Sequence, residues 1–235
     1  MKKFFIFLLA LMLFVPAVFA DTENEIVFHG IPWGISVNEL ADQLKERKIP
    51  VKSSDIESGE DMAIWTYQFG NSYQYDIEST GHKILINCLG NPGAVRIAGY
   101  PVNTIELYAH YDITDGVLKM DSGNSKYYFS SIWFDVSDEM AVSVYADLSK
   151  KLSVLYGTGE EGTSKYGSST TYSYTVWNGA NNTAVCLYRS VSTSSVYQHV
   201  NLMYGKADCE QTLREVRRLV IEHEIQSVSD DSTGL

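Results

Sequence analysis

Five histidines, His29, His82, His110, His199 and His223, are the side chains of this sequence best suited to proton transfer or metal binding near neutral pH. They are scattered. No H-x-x-x-H or H-E-x-x-H spacing puts two of them on one helical face, as a zinc site carried by a helix requires. Glu222-His223-Glu224 gathers three ligand groups, but successive helical residues diverge by about 100° and cannot grip one ion together. Asp112, Asp115, Asp121 and Asn124 cluster around turns without the D-x-D-x-D-G order or closing glutamate of a calcium hand. No metal site is expected. Serine is abundant, yet no G-x-S-x-G elbow, P-loop or dinucleotide glycine fingerprint occurs, so no catalytic residue and no cofactor is assigned. Two carboxylates meeting across a cleft leave no trace in sequence. A secreted hydrolase with dispersed acidic catalytic residues is therefore the alternative function.

Three cysteines, Cys88, Cys186 and Cys209, allow at most one internal bridge. Cys88 closes an apolar run and reads as a buried thiol. A Cys186–Cys209 bridge would tie the last helix to the strand it packs on. Strand alternation counts against it if Val185 and Leu187 face the helices.

The stronger chemical signal is aromatic. In a strand expected over 170–177, alternation sets Tyr172, Tyr174 and Val176 on one side and Thr171, Ser173, Thr175 and Trp177 on the other. By the same parity Val196, Val200 and Leu202 face inward while Tyr197, His199 and Asn201 face out, and Ile105, Leu107 and Ala109 face inward while Glu106, Tyr108 and His110 face out. If helices cover the side bearing Tyr172, Tyr174, Val200 and Leu202, the open side carries Trp177, Tyr197, His199, Tyr108 and His110. Aromatic anchors among adaptable polar groups are the composition of recognition surfaces, so these five are the expected binding residues.

The elements that position them are legible from periodicity. Ala141, Val144, Tyr145, Leu148, Leu152 and Leu155 recur at helical steps between Ser137, an N-cap type, and Gly157, a helix stop. Ser36 followed by Glu39 is a capping box opening a helix over 36–48, and a third helix is expected over 208–225. Strands are expected over 62–69, 73–78, 83–89, 94–100, 104–111, 127–134, 170–177, 183–189 and 196–204, separated by turn residues. Close spacing suits an antiparallel meander. Residues 158–169 read as a mobile loop and 227–235 as a disordered polar tail. The fold class expected is α+β: an antiparallel sheet covered on one face by the three helices, in one domain over 21–226. Trp33 and Ser36 before one helix, and Trp133 and Ser137 before the next, suggest two related α/β half-repeats, about 26–134 and 135–226.

The opening F-H-G-I-P-W-G-I-S, the run Y-A-D-L-S-K-K-L-S-V-L-Y-G and the later T-V-W-N-G-A-N-N-T-A-V-C-L-Y resemble a group of exported bacterial proteins that brings no assigned activity. Their helix-plus-antiparallel-sheet repeats are similar in layout to beta-lactamase inhibitory protein and to small lipoproteins of outer-membrane assembly. That likeness concerns the fold and assigns no function.

Residues 1–20 combine Lys2 and Lys3, an apolar run and small residues at Val18 and Ala20, the pattern of a secretory signal peptide. The apolar run is shorter than the ~20 residues of a spanning helix, so no membrane span is expected after cleavage. Removal of two lysines and no acid lowers the net charge from −11 to −13. Such a surface repels nucleic acid. The function expected is non-enzymatic binding in the cell envelope or outside the cell, to an unknown protein or glycan partner. The exported form should begin at Asp21 and stay soluble without detergent. N-terminal sequencing of secreted material checks this, and recovery of Met1 or fractionation with membranes contradicts it.

Overall fold

The computed structural model describes residues 24–58, 65–69, 73–77, 81–89, 91, 93–166, 170–192, 199–206 and 209–231. The expected signal peptide therefore lies outside the described residues. In chain order the strands are β1 Ile56–Glu57, β2 Trp65–Phe69, β3 Tyr73–Ile77, β4 Gly81–Asn87, β5 Arg96–Ile97, β6 Tyr100–His110, β7 Asp112–Thr114 and β8 Val117–Lys119. There follow β9 Lys126–Phe134, β10 Glu160–Tyr166, β11 Thr170–Asn178, β12 Thr183–Ser192 and β13 Val200–Lys206. The helices are α1 Val37–Glu46, α2 Asp138–Tyr156 and α3 Cys209–Asp231. The protein is α+β. A nine-stranded sheet runs β1-β4-β6-β9-β13-β12-β11-β10, with β5 attached to β6, and every neighbouring pair is antiparallel. The hairpins β2–β3 and β7–β8 stand apart from it.

Local sequence explains most boundaries. At α1 the capping box is complete: Glu39 N–H donates to Ser36 Oγ at 3.2 Å, and Ser36 N–H donates to Glu39 Oε2 at 2.9 Å. Ser137 occupies the N-cap of α2 without a side-chain bond, and Gly157, at φ 80°, ends it. The expected strand over 94–100 breaks because Ala98 and Gly99 both take positive φ, the two-residue hairpin turn that folds β5 onto β6. The segment expected as a mobile loop over 158–169 contains β10, which pairs with β11 from Glu160↔Val176 to Tyr166↔Thr170. It is an edge strand with one partner, so it carries charges that block further pairing and lacks the apolar alternation that betrays inner strands. Helix α3 continues to Asp231, past 225 and into the segment expected to be a tail.

Both sheet faces are covered. Ile84, Ile105, Leu107, Ile132, Val185, Leu187, Val200 and Leu202 form one core with Leu40 and Leu44 of α1 and Val144, Leu148 and Leu152 of α2. Each such side chain contributes about 1.5–3 kcal/mol by leaving water. On the other face Tyr108, Phe129, Tyr174, Cys186 and Met203 form a second core with Leu213 of α3, and Val216 and Val220 pack with Tyr111, Ile113 and Leu118. The expectation that all three helices share one face is thus corrected for α3. Its apolar stripe closes over the β6, β9 and β7–β8 region of the opposite face. Cys186 consequently points toward the side that carries α3, where it is a buried thiol, as Cys88 is in the other core.

The halves interlock. Strand β13 of the second half pairs with β9 of the first from Asn201↔Trp133 to Gly205↔Phe129. The buried Asn201 amide donates across this seam to Ser131 Oγ at 2.9 Å and to the Ile132 carbonyl at 3.1 Å. The start of the chain crosses back: Ile26 N–H donates to Thr183 Oγ1 at 2.8 Å, and Phe28 packs on Tyr204 with ring centroids 5.7 Å apart.

Trp177 is 1% exposed and belongs to the core under α2, which corrects its expected place on an open face. Register sets it opposite Val185, and Val185 opposite Tyr204, on the side α2 covers. Its indole N–H donates to the Gly157 carbonyl at 3.1 Å. Gly159 passes so close that an added Cβ would lie 2.5 Å from Thr175 Cγ2 and 2.7 Å from the indole. Trp177→Ala should therefore cost ~3 kcal/mol or more of folding stability, by loss of a buried aromatic and creation of a cavity. A thermal melt checks this, and an unchanged melting temperature would contradict the packing.

Candidate functional site

Of the five residues expected to bind, the four that are described do not converge. Trp177 is in the core, and Tyr108 is 1% exposed beneath the α3 side of the sheet, 5.8 Å from Phe129 between ring centroids. Tyr197 lies outside the described residues. His110 and His199 remain, and each anchors a different surface feature.

His199 is exposed and sits just before β13, its ring edge-on to Trp133 with centroids 6.0 Å apart. Trp133 is half-buried, and its indole N–H donates to Glu106 Oε2 at 3.2 Å. Trp133 pairs with Thr104 on β6 and Asn201 on β13, so Glu106, two residues after Thr104, and His199, two residues before Asn201, flank Trp133 along a diagonal row across β6, β9 and the entrance to β13. The row is fixed from below by the Asn201 seam and beside it by Ser190 Oγ, which accepts from His199 N–H at 3.0 Å. An indole held at its N–H by a carboxylate, with an imidazole against it, offers an apolar face, an acceptor and an imidazole ring within one patch. Alternation along β9 would have singled out Trp133, since it falls on the same side as Phe129 and Ser131.

His110 is 8% exposed and lies at the end of β6. Its Nδ1 is 2.7 Å from the Tyr111 carbonyl oxygen, and burial pushes its pKa below the ordinary 6.5. It lines a cavity of about 250 Å³ with Trp33, Lys126, Tyr127, Lys206 and Thr212. A second cavity, of about 290 Å³, opens between α2 and the N-terminal segment and is mainly apolar, with Val27, Ile97, Leu148, Leu152 and Leu155 in its wall. Lys151 at its rim is paired with Asp147 at 2.7 Å and donates to the Ala98 carbonyl at 2.9 Å.

Polar clusters of the residue types that hydrolysis uses have structural employment. His82 Nδ1 lies 2.8 Å from Ser125 Oγ, but Ser125 is 0% exposed, and its hydroxyl also reaches the Asp121 carbonyl at 3.2 Å. Asp121 itself closes a turn by accepting from Gly123 N–H and the Asn124 amide at 3.0 and 2.7 Å. Glu222 is bound by Arg218, which also holds Glu215. Among the described residues no group of three or more histidine, cysteine or acidic side chains could hold a metal ion, and no helix is long and apolar enough to cross a membrane.

Comparison with known protein families, curated proteins and solved structures returned no match.

Burial dominates the lowered pKa of His82 and His110, each 8% exposed. The unfolded chain, with ordinary histidines, binds protons first as pH falls through 6.5, so stability is full above that value and declines below it. Acids held below their usual range, such as Asp121 and Asp147, contribute only at lower pH. Melting temperature should therefore fall between about pH 7 and pH 5, and fall less in His110→Asn. A flat profile over that interval would contradict the burial of these rings.

Proposed function

We propose that the mature chain acts outside the cytoplasm, in the envelope or beyond the cell, as a non-enzymatic binding protein whose recognition surface is the Trp133–His199 row. The partner is a protein or a glycan. The observation that carries this reading is the exposed His199 ring set edge-on to Trp133, with the indole N–H held by Glu106. A rigid aromatic flanked by hydrogen-bonding groups is the pattern of an interface anchor, and its ordering cost is met in advance by the seam beneath it. Export rests on the leader pattern over 1–20 and on the acidic surface. We also read the halves as related. In each, a Trp and a Ser precede a helix that covers the same sheet face, α1 near β4 and β9, α2 over β11, β12 and β13. This symmetry would make the β9–β13 seam, where Trp133 lies, the junction between the two units.

The test is capture of a partner from an extracellular or envelope fraction by the wild-type mature protein and by Trp133→Ala and His199→Ala. Trp133→Ala should weaken capture by at least ~2 kcal/mol, roughly 30-fold. Its melting temperature should shift by no more than ~3 °C, about 1 kcal/mol for a chain of this size. Capture that survives both substitutions would contradict the assignment, as would a melting temperature that collapses in Trp133→Ala.

A further inference from the structure

The cavity at His110 is a separate place. It adjoins Lys126 at the start of β9, seven residues from Trp133, or roughly 23 Å along the strand at ~3.3 Å per residue. Three stretches distant in sequence build it: Trp33 before α1, His110 with Lys126 and Tyr127 at the β6–β9 end, and Lys206 with Thr212 where β13 gives way to α3. In a chain of net charge −11, two of the 18 basic residues meet in one small hollow. Lys126 Nζ makes no hydrogen bond or ion pair with any described residue. Glu39 lies near enough to feel its charge but is committed to the capping box of α1.

The neighbouring groups narrow the chemistry further. A backbone carbonyl only accepts, so His110 Nδ1 carries the proton that it donates to Tyr111 O at 2.7 Å. In the neutral ring Nε2 is then an acceptor, and no described residue donates to it. Desolvation favours that neutral form over the opposing pull of the Tyr111 hydrogen bond and of Asp112, and Lys126 adds a smaller push in the same direction as desolvation. A simple carboxylate facing Nε2 would set lone pair against lone pair. A ligand hydroxyl would donate to it. Trp33 supplies a flat wall, fixed because its indole N–H donates to Ile26 O at 3.0 Å and its ring stacks on Tyr127 with centroids 4.8 Å apart. At about 250 Å³ the space equals about eight waters at ~30 Å³ each, room for one substituted six-membered ring.

We propose that this cavity binds a small ring-bearing hydroxy acid, with its carboxylate at Lys126, its ring against Trp33 and a hydroxyl donating to His110 Nε2. A phenolic acid and a uronic acid share this chemistry. The site goes beyond the Trp133–His199 surface and does not depend on it.

The test is an NMR titration of the mature protein, following the Trp33 indole N–H and the His110 ring, with the three hydroxybenzoate isomers, glucuronate, benzoate, phenol and inorganic phosphate. At least one hydroxybenzoate or glucuronate should perturb both signals saturably, and bind at least ten-fold more tightly than benzoate, phenol or phosphate. Whichever of the two classes binds identifies the source. Lys126→Met should weaken that ligand at least ten-fold while Trp133→Ala leaves it unchanged. The proposal is overturned if no hydroxy acid saturates these signals, if benzoate, phenol or phosphate binds as well, or if Lys126→Met binds like wild type. The titration of the unaltered protein decides the matter even where a variant fails to fold.

Discussion

The pairing of β9 with β13 is the constraint on which the rest of this structure depends. It joins five strands on one side of the sheet to four on the other, and it does so through five residue pairs and a buried asparagine. An amide buried in this way costs free energy unless its hydrogen bonds are made, and Asn201 makes two, to Ser131 and to the Ile132 carbonyl. Because alternation has period two, a slip of one residue here would send Leu202 and Tyr204 away from α2 and bring Asn201 into an apolar core. The seam thus holds register for both halves at once. It also fixes which aromatic residues are buried and which are offered to solvent.

Two faces, each covered differently, follow from that register. The first is closed by α1 and α2, which run over opposite halves and meet the apolar sides of β4 to β12. The second is closed by α3 around Tyr108, Phe129 and Met203, while the Trp133–His199 row lies toward the other end of β9. The exposed row and the His110 cavity are then two ends of one strand. Lys126 opens β9 and Trp133 nearly closes it, so the strand that joins the halves also carries both proposed recognition features.

How much of this was legible in the sequence depended on where the physics is local. Helices α1 and α2 could be read because capping residues and a 3.6-residue apolar stripe are properties of contiguous residues. The antiparallel meander could be read from turn chemistry. Strand β10 could not, since an edge strand is specified by the partner it lies beside and not by its own alternation. Parity on β11 was read correctly as two sets, but not which set faced the helices. Both sets carry large aromatic residues because both faces of the sheet are covered, and alternation is silent about which cover is which. The same ambiguity hid the place of α3. Of the expected site residues, His199 and His110 are where a ligand could reach them and Trp177 and Tyr108 are not. The cavity itself left no motif, because Trp33, His110, Lys126 and Lys206 are brought together only when the sheet assembles.

Native-state hydrogen exchange across the β9–β13 seam tests the central claim most directly. If the two halves form one cooperative unit held by this pairing, the amides of Leu202 and Ile132 exchange only through global unfolding, with the same free energy as the inner strands β6 and β12. Exchange of the seam amides at a much lower free energy than β6 or β12, with the two halves opening separately, would contradict it.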